Sequence, residues 1–221
     1  MSEITSILNE EPGFDLKPNR NDLIAEVLRI VGGQFGQIAA SLVPDQRIER
    51  VIDFVEIWKD TIKNVQGEQI TQNLKIDEAA DLAEDAINLA SRALTEERRK
   101  HIAEVLKNSL TRDEIGFDGK KKLMSIVAEL SDTEIVLLSS MDLWATEEDE
   151  FYKRHNAIFE IEPATFGMSQ DEYAGETMLE EYYGNLGRLN LATDTREPTR
   201  LGRLVLTYLS LDRESRVPGD F

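Results

Sequence analysis

The stretch that decides the fold of the C-terminal part is Tyr182-Tyr-Gly-Asn185-Leu186-Gly-Arg188-Leu189-Asn-Leu191. A polar turn follows it, and then comes Thr199-Arg200-Leu201-Gly202-Arg203-Leu204-Val-Leu206-Thr-Tyr208-Leu209. The first segment predicts a helix that runs into a short apolar strand, and Thr199 is a residue type that caps helices. A helix, a small hairpin and a capped helix outline a winged helix-turn-helix. Such a unit acts by contact with nucleic acid or protein.

The formal charge of the chain is −18 over 221 residues, and it is spread unevenly. Fifteen acidic and two basic residues lie between Glu129 and Glu181, whereas residues 186–217 hold six Arg and four acids. The predicted wing is therefore mildly basic inside a strongly acidic protein. An acidic surface repels phosphate at long range, so nucleic acid is disfavoured as the partner.

Three upstream segments place apolar side chains at alternating steps of three and four, the spacing of a helical bundle or coiled coil. The stripes are Ile24, Leu28, Val31, Phe35, Ile38, Leu42; then Ile48, Val51, Val55, Trp58, Ile62, Val65; then Ile76, Ala80, Ala83, Ile87, Ala90, Leu94. Pro44 separates the first two helices, because proline disfavours helix at the residue before it. The third stripe is rich in Ala, which lets a neighbouring helix approach closely.

Later helices are predicted to begin after Thr95, Ser131 and Ser169, which are capping residue types. A short helix is expected over 120–130, and the alternation in residues 158–163 predicts a short strand. The chain should thus be mainly α: an N-terminal antiparallel helical bundle with coiled-coil-like stripes, plus a C-terminal winged-helix-like unit with a small β-hairpin. We expect an extended arm at 1–18, the bundle at 19–118, the winged-helix-like acidic domain at 119–211 and a tail at 212–221.

Gly32 and Gly36 form a Gly-x-x-x-Gly spacing, which in membranes lets two helices touch. The charge-free run around them has only 15 residues, whereas a membrane span needs roughly 20. We expect no membrane span, and favour close packing or a bend in the bundle over an oligomer interface. The residues predicted for packing or oligomer contact are Gly32, Gly36, Val51, Val55, Trp58 and Ile62.

The inventory for catalysis and metal binding is thin. The chain has no Cys and two His, and lacks a Gly-x-Ser-x-Gly motif and a phosphate-binding loop. The acidic run Glu147-Glu-Asp-Glu150, near His155, lacks the spacing of a calcium loop and is expected to be a solvated face. His101 is expected to be a surface residue. No catalytic, cofactor or metal site is predicted, and the chain is not expected to be an enzyme.

The arginines of the predicted wing, Arg188, Arg200 and Arg203, are candidates for phosphate contact. The alternative, favoured by the overall charge, is that they pair with nearby acids such as Glu180, Glu181, Asp194 and Glu197. The helix that would enter a DNA groove, residues 171–183, has five acids and no base.

Short motifs make the sequence similar to the Abi-alpha family, bacterial proteins linked with abortive-infection resistance to phage. They are Leu94-Thr-Glu-Glu-Arg-Arg-Lys-His-Ile-Ala-Glu-Val-Leu106, Leu130-Ser-Asp-Thr-Glu-Ile-Val-Leu-Leu138, and the ending Asn185-Leu-Gly-Arg-Leu-Asn-Leu191 with Thr199-Arg-Leu-Gly-Arg203. The resemblance covers roughly residues 45–210. Asn190 stands where the family has Gly, and Pro198 where it has Leu. The resemblance implies a role in phage resistance or exclusion through protein contacts, and it transfers no catalytic residue.

The first hypothesis is a non-enzymatic cytoplasmic interaction protein, of bacterial or phage origin, whose bundle forms a homo-oligomer. Its acidic end contacts a protein partner, and either meets a basic partner or mimics the charge of nucleic acid. The second hypothesis is a winged-helix DNA-binding regulator. The absence of Cys fits a reducing compartment, and the first residues do not predict a signal peptide.

Overall fold

The computed structural model describes residues 45–62, 76–143, 150–161 and 169–211, and this part of the chain is mainly helical. Its helices are α1 (Asp45–Ile62), α2 (Ile76–Arg92), α3 (Glu96–Thr111), α4 (Phe117–Glu129), α5 (Asp132–Leu143), α6 (Glu150–Arg154), α7 (Asn156–Phe159), α8 (Gln170–Arg188) and α9 (Arg200–Tyr208). The predicted arm, the first predicted helix with Gly32 and Gly36, residues 147–149 and the tail lie outside the described residues.

The chain divides into two compact units, residues 1–125 and 126–221, and the division falls within α4. In the first unit α1, α2 and α3 pack against one another pairwise. The four-range division expected from the sequence stays a prediction, because neither the arm nor the tail is described.

The core of the first unit is built from apolar side chains of α1, α2, α3 and α4. Its buried apolar residues include Val51, Phe54, Trp58, Ile62, Ala79, Leu82, Ala83, Ala86, Ile87, Ala90, Ala93, Ile102, Ala103, Val105, Leu106, Leu110, Leu123 and Met124. Most described residues of the predicted stripes on α1 and α2 are buried, but some single positions were wrongly assigned to the core. Phe54 is buried and Val55 only partly so, because a helix repeats every 3.6 residues and the stripe drifts. Leu94 is 79% exposed, because α2 has already ended at Arg92.

Two arginines hold the C-terminal end of α2. The Arg50 guanidinium donates to the Ser91 carbonyl (3.5 Å), and Arg99 donates to the Ala93 carbonyl (3.1 Å). Arg99 also pairs with Asp53. Cations stabilise this end of a helix, where the last carbonyl groups have no partner inside the helix. Because Arg50 and Asp53 come from α1 and Arg99 from α3, these contacts also join the three helices.

Two lysines at the start of α4 meet different surroundings. Lys121 lies between Asp81 (2.7 Å) and Asp85 (2.5 Å), one turn apart on α2. Burial alone would lower the pKa of Lys121, but its hydrogen bonds to these carboxylates outweigh that effect and raise the pKa. Lys120 is 2% exposed, and its burial lowers its pKa despite the nearby carboxylates of Asp113 and Glu114.

Several helix starts follow the predicted caps. The Thr95 hydroxyl accepts from the Arg98 N–H (3.1 Å), and α3 begins at the next residue. The helix predicted over 120–130 begins earlier, at Phe117. The strand predicted for 158–163 is wrong at its start, because Asn156–Phe159 form α7. Tyr152 stacks on Phe159 there (4.9 Å), a contact that alternation along the chain does not reveal.

In the second unit α5 lies against both α8 and α9. Buried apolar residues include Leu137, Leu138, Leu186, Leu191 and Leu206. The link between α8 and α9 holds one isolated antiparallel bridge, between Ala192 and Pro198, and no strand is present in the described residues. The helix–turn–helix order of the C-terminal stretch is therefore present, whereas the predicted hairpin of a winged helix is not confirmed.

Candidate contact surface at the C-terminal turn

The link between α8 and α9, residues 189–199, is here called the C-terminal turn. It begins with a Schellman motif. The Leu191 N–H donates to the Leu186 carbonyl, and the Asn190 N–H donates to the Gly187 carbonyl, each over 2.9 Å. Asn190 has φ 57°, a left-handed conformation that Asn adopts more readily than most residues. This gives a physical reason why Asn can stand where the resemblance leads one to expect Gly.

The two sides of the C-terminal turn are held together by backbone hydrogen bonds. The Thr193 N–H donates to the Glu197 carbonyl (2.8 Å), and the Thr199 N–H donates to the Leu191 carbonyl (2.8 Å). At the tip, Arg196 adopts φ 59°, and its guanidinium lies 4.1 Å from the centroid of the Tyr183 ring. A cation over an aromatic face is attractive, so this contact fixes the tip onto α8.

Thr199 joins the turn to α9 by two side-chain hydrogen bonds. Its hydroxyl donates to the Asn190 carbonyl (2.6 Å) and accepts from the Gly202 N–H (3.0 Å). The predicted cap is thus confirmed. Gly202 is packed so tightly that a β-carbon there would lie 2.1 Å from the Leu191 carbonyl oxygen. The first turn of α9 can therefore press directly on the backbone of the C-terminal turn.

The three predicted arginines do not form one cationic patch. Arg188 pairs with Glu129 (3.1 Å) and donates to the Asn185 side-chain oxygen (2.7 Å). Arg203 lies 3.5 Å from Asp142. Arg200 is exposed, and it has no ion pair within the described part of the chain.

Pairing with acids was the favoured expectation, but for Arg188 and Arg203 the acids named for it were wrong. Their partners, Glu129 and Asp142, come from helices 59 and 61 positions away along the chain. Sequence proximity to Glu180, Glu181, Asp194 or Glu197 was therefore not a guide to the ion pairs.

Sequence analysis missed a buried polar link beneath this surface. Glu134 is 4% exposed, and one of its carboxylate oxygens accepts from the Ser131 N–H (2.6 Å). The Ser131 hydroxyl in turn accepts from the Glu134 N–H (3.2 Å), which completes a capping box at the start of α5. The other carboxylate oxygen accepts from the Asn185 side chain (2.6 Å). The capping box agrees with the helix start predicted after Ser131, but nothing local could have predicted the contact with Asn185.

The outer face of α8 is acidic and largely uncovered. Glu180 and Glu181 are exposed, and neither has a cationic partner among the described residues. Tyr173 is 63% exposed and Met178 is 48% exposed. From Tyr173 to Asn185 no side chain of the helix is buried. The helix thus presents carboxylates and a few large apolar groups to its surroundings.

The packing residues predicted in the first unit lie on α1. Val51, Trp58 and Ile62 are buried within a single copy of the chain, and Val55 is partly exposed. Gly32 and Gly36 lie outside the described residues. A helix long and apolar enough to cross a membrane does not occur in the described ranges.

The histidines take no part in a metal site among the residues described. His101 was expected at the surface, and this was wrong: it is buried, because it shares the inward face of α3 with Ile102. His155 packs against Phe151, with ring centroids 4.9 Å apart. Across the described ranges, no three acidic or histidine side chains are grouped so that they could hold a metal ion.

No family model, curated protein or solved structure matches this chain.

Proposed function

We propose that this chain is a non-enzymatic interaction protein that takes part in resistance to phage or in phage exclusion. In this proposal the acidic, winged-helix-like C-terminal part contacts another protein. The N-terminal part forms an antiparallel bundle and joins copies of the chain in the cytoplasm. The link to phage rests on the Abi-alpha-like motifs, and the preference for a protein partner rests on the electrostatics of α8 and the C-terminal turn.

One observation carries the preference for protein. Arg188 and Arg203 form ion pairs with Glu129 and Asp142. Glu180 and Glu181 on α8 have no cationic partner among the described residues. A duplex would have to displace these ion pairs and approach a row of carboxylates. A protein with exposed Lys or Arg would instead find favourable charge on the same face.

A DNA-binding role is the second candidate, and Arg200 favours it. This arginine is exposed at the first position of α9, beside Thr199, and it has no ion pair among the described residues. Backbone N–H groups at a helix N-terminus together with an arginine are a recurrent means of holding phosphate. One free arginine among neighbouring acids is a weak basis for groove binding, so we rank this role second.

Binding to duplex DNA at several salt concentrations separates the two roles. We expect no binding tighter than about 100 μM near physiological salt, the weak end of non-specific binding, for wild type. We expect the same for a triple variant of Arg188, Arg200 and Arg203 to Ala. Arg92, Lys100 and Lys122, all exposed in the first unit, provide a control triple Ala variant with the same change in charge.

Affinity of about 1 μM or better, lost steeply as salt rises and lost only in the first triple variant, would establish the DNA-binding role instead. The protein role is tested by pull-down from infected and uninfected cells, with the mass of the complex measured by light scattering. We expect a specific protein whose recovery is unchanged by nuclease treatment.

A further inference from the structure

Five exposed residues lie on one stripe of α8. They are Tyr173, Thr177, Glu180, Gly184 and Gly187, separated by steps of four, three, four and three. These steps place side chains along a single line of a helix, which is the geometry with which one helix lies along another. The stripe points away from Leu186, the one buried residue of α8 whose burial the structure describes. We call it the outer stripe of α8.

Two positions of the outer stripe are glycines that no contact with the described residues requires. A β-carbon built on Gly184 or Gly187 meets no atom of the described part of the chain within 4 Å. Neither glycine has the left-handed backbone that would require it. Gly202, by contrast, is required by the Leu191 carbonyl oxygen at 2.1 Å. Glycine is a poor helix former, so two of them on an exposed stripe suit the close approach of another backbone.

The charge on the outer stripe selects the occupant. Glu180 lies at its middle, Glu181 lies beside it, and neither has a cationic partner among the described residues. A second copy would pair antiparallel with Tyr173 against Gly187, which places Glu180 against its own counterpart. A partner with a cation opposite Glu180 is attracted to it, whereas a second copy would place another Glu180 there and be repelled.

We propose that the outer stripe of α8 binds a helix of a partner protein that carries Lys or Arg opposite Glu180. The partner backbone lies close to Gly184 and Gly187, and Tyr173 packs on its apolar side chains. This inference rests on the proposed function and names the chemistry of its partner: a basic amphipathic helix.

The test uses the full chain and two synthetic helical peptides of about 20 residues, roughly the length of α8. One carries Leu at helical spacings of three and four residues and Lys at the other positions, and the other keeps Leu and replaces every Lys by Glu. We expect the basic peptide to bind and the acidic peptide not to bind, as measured by fluorescence anisotropy. Failure of the basic peptide to bind, or equal binding of both, overturns the proposal.

Two variants locate the binding. Gly184→Leu places a side chain where the partner backbone would lie, and Glu180→Lys reverses the central charge. We expect each to weaken the basic peptide about tenfold or more, and Glu180→Lys to gain binding to the acidic peptide. The matched control is Gly116→Leu, because Gly116 is also exposed, lies in the first unit, and has none of the described atoms within 4 Å of its added β-carbon. Circular dichroism melts show whether each variant folds.

The outcomes separate this inference from the proposed function. If Gly184→Leu binds the basic peptide as tightly as wild type, the stripe is not the contact surface. If Gly184→Leu and wild type capture the same protein from cells equally well, the interaction role stands and this inference fails. If wild type self-associates and Gly184→Leu abolishes it, the occupant is a second copy and the basic-partner inference fails.

Discussion

The carbonyl oxygen of Leu191 lies 2.1 Å from the point where a β-carbon on Gly202 would stand. The same oxygen accepts the Thr199 N–H at 2.8 Å, so it cannot move without breaking a hydrogen bond of the C-terminal turn. The contact between α9 and the turn therefore depends on residue 202 having no side chain. We expect the stability of the second unit to be unusually sensitive at this position.

Gly202→Ala should destabilise the protein by about 3 kcal/mol, because the added methyl group forces backbone atoms apart. The change is measured as the shift in the midpoint of chemical denaturation of the second unit. Gly184→Ala is the matched control on α8. It should stabilise by about 0.5–1 kcal/mol, because alanine is the better helix former and its β-carbon meets none of the described residues within 4 Å. Similar effects of the two substitutions would show that the close contact at Gly202 is not maintained.

The link between Glu134 and Asn185 should show coupling in a double-mutant cycle. Asn185→Ala removes one hydrogen bond from the buried Glu134 carboxylate, and Glu134→Ala removes the acceptor of the half-buried Asn185 amide, so we expect losses of about 1–3 kcal/mol. Their interaction energy should be about 1 kcal/mol or more. The exposed pair Arg188–Glu129 gives the comparison and should couple by about 0.2–1 kcal/mol. Strictly additive losses at Glu134 and Asn185 would contradict the hydrogen bond.

Lys120→Met should be more stable than wild type at neutral pH. Burial lowers the pKa of Lys120 below its ordinary value of 10.5, so the unfolded chain holds this proton more tightly than the folded chain. Wild-type stability then rises with pH between the folded pKa and 10.5, and the advantage of Lys120→Met shrinks over that interval.

Free energies of unfolding measured from pH 7 upward, as the difference between variant and wild type, follow this effect. Lys122→Met is the control, because Lys122 is exposed on the same helix. A difference between Lys120→Met and wild type that stays constant with pH would contradict a perturbed lysine.

Trp58→Ala should cost about 3–5 kcal/mol, because it removes a large side chain that is 2% exposed. Trp58→Phe should cost much less, because the buried indole N–H has no hydrogen-bond partner among the described residues. Val55→Ala is the control from the same predicted stripe, and it should cost less than half as much as Trp58→Ala because Val55 is only partly buried. Equal losses at positions 55 and 58 would mean that the helix face is wrongly placed.

Local chemistry was enough to predict what depends on a few neighbouring residues. Thr95 and Thr199 were recognised as caps because a hydroxyl next to a helix start satisfies an N–H three residues on. Periodicity predicted the helices α1 and α2, because the spacing of apolar residues along a few turns is also a local property. The prediction was wrong at Val55 and Leu94, because a regular repeat of three and four includes neither the drift of the stripe around the helix nor the position of the helix end.

Contacts between distant residues could not be predicted in this way. Arg188 and Arg203 pair with carboxylates that the packing of the helices brings close to them. Nearness in sequence favoured other acids, such as Glu180 and Glu197. His101 is buried because of how α3 faces its neighbours, and the charged residues beside it suggested the surface.

The sequence by itself determined the helical character of the chain, its acidity and the helix–turn–helix order of its end. Each follows from residue type and spacing along a few turns of backbone. Only the tertiary structure decided that Gly202 must be glycine whereas Gly184 need not be, and that Glu134 reaches Asn185. A glycine looks the same in any sequence, and the atoms around it are known only once distant segments have come together.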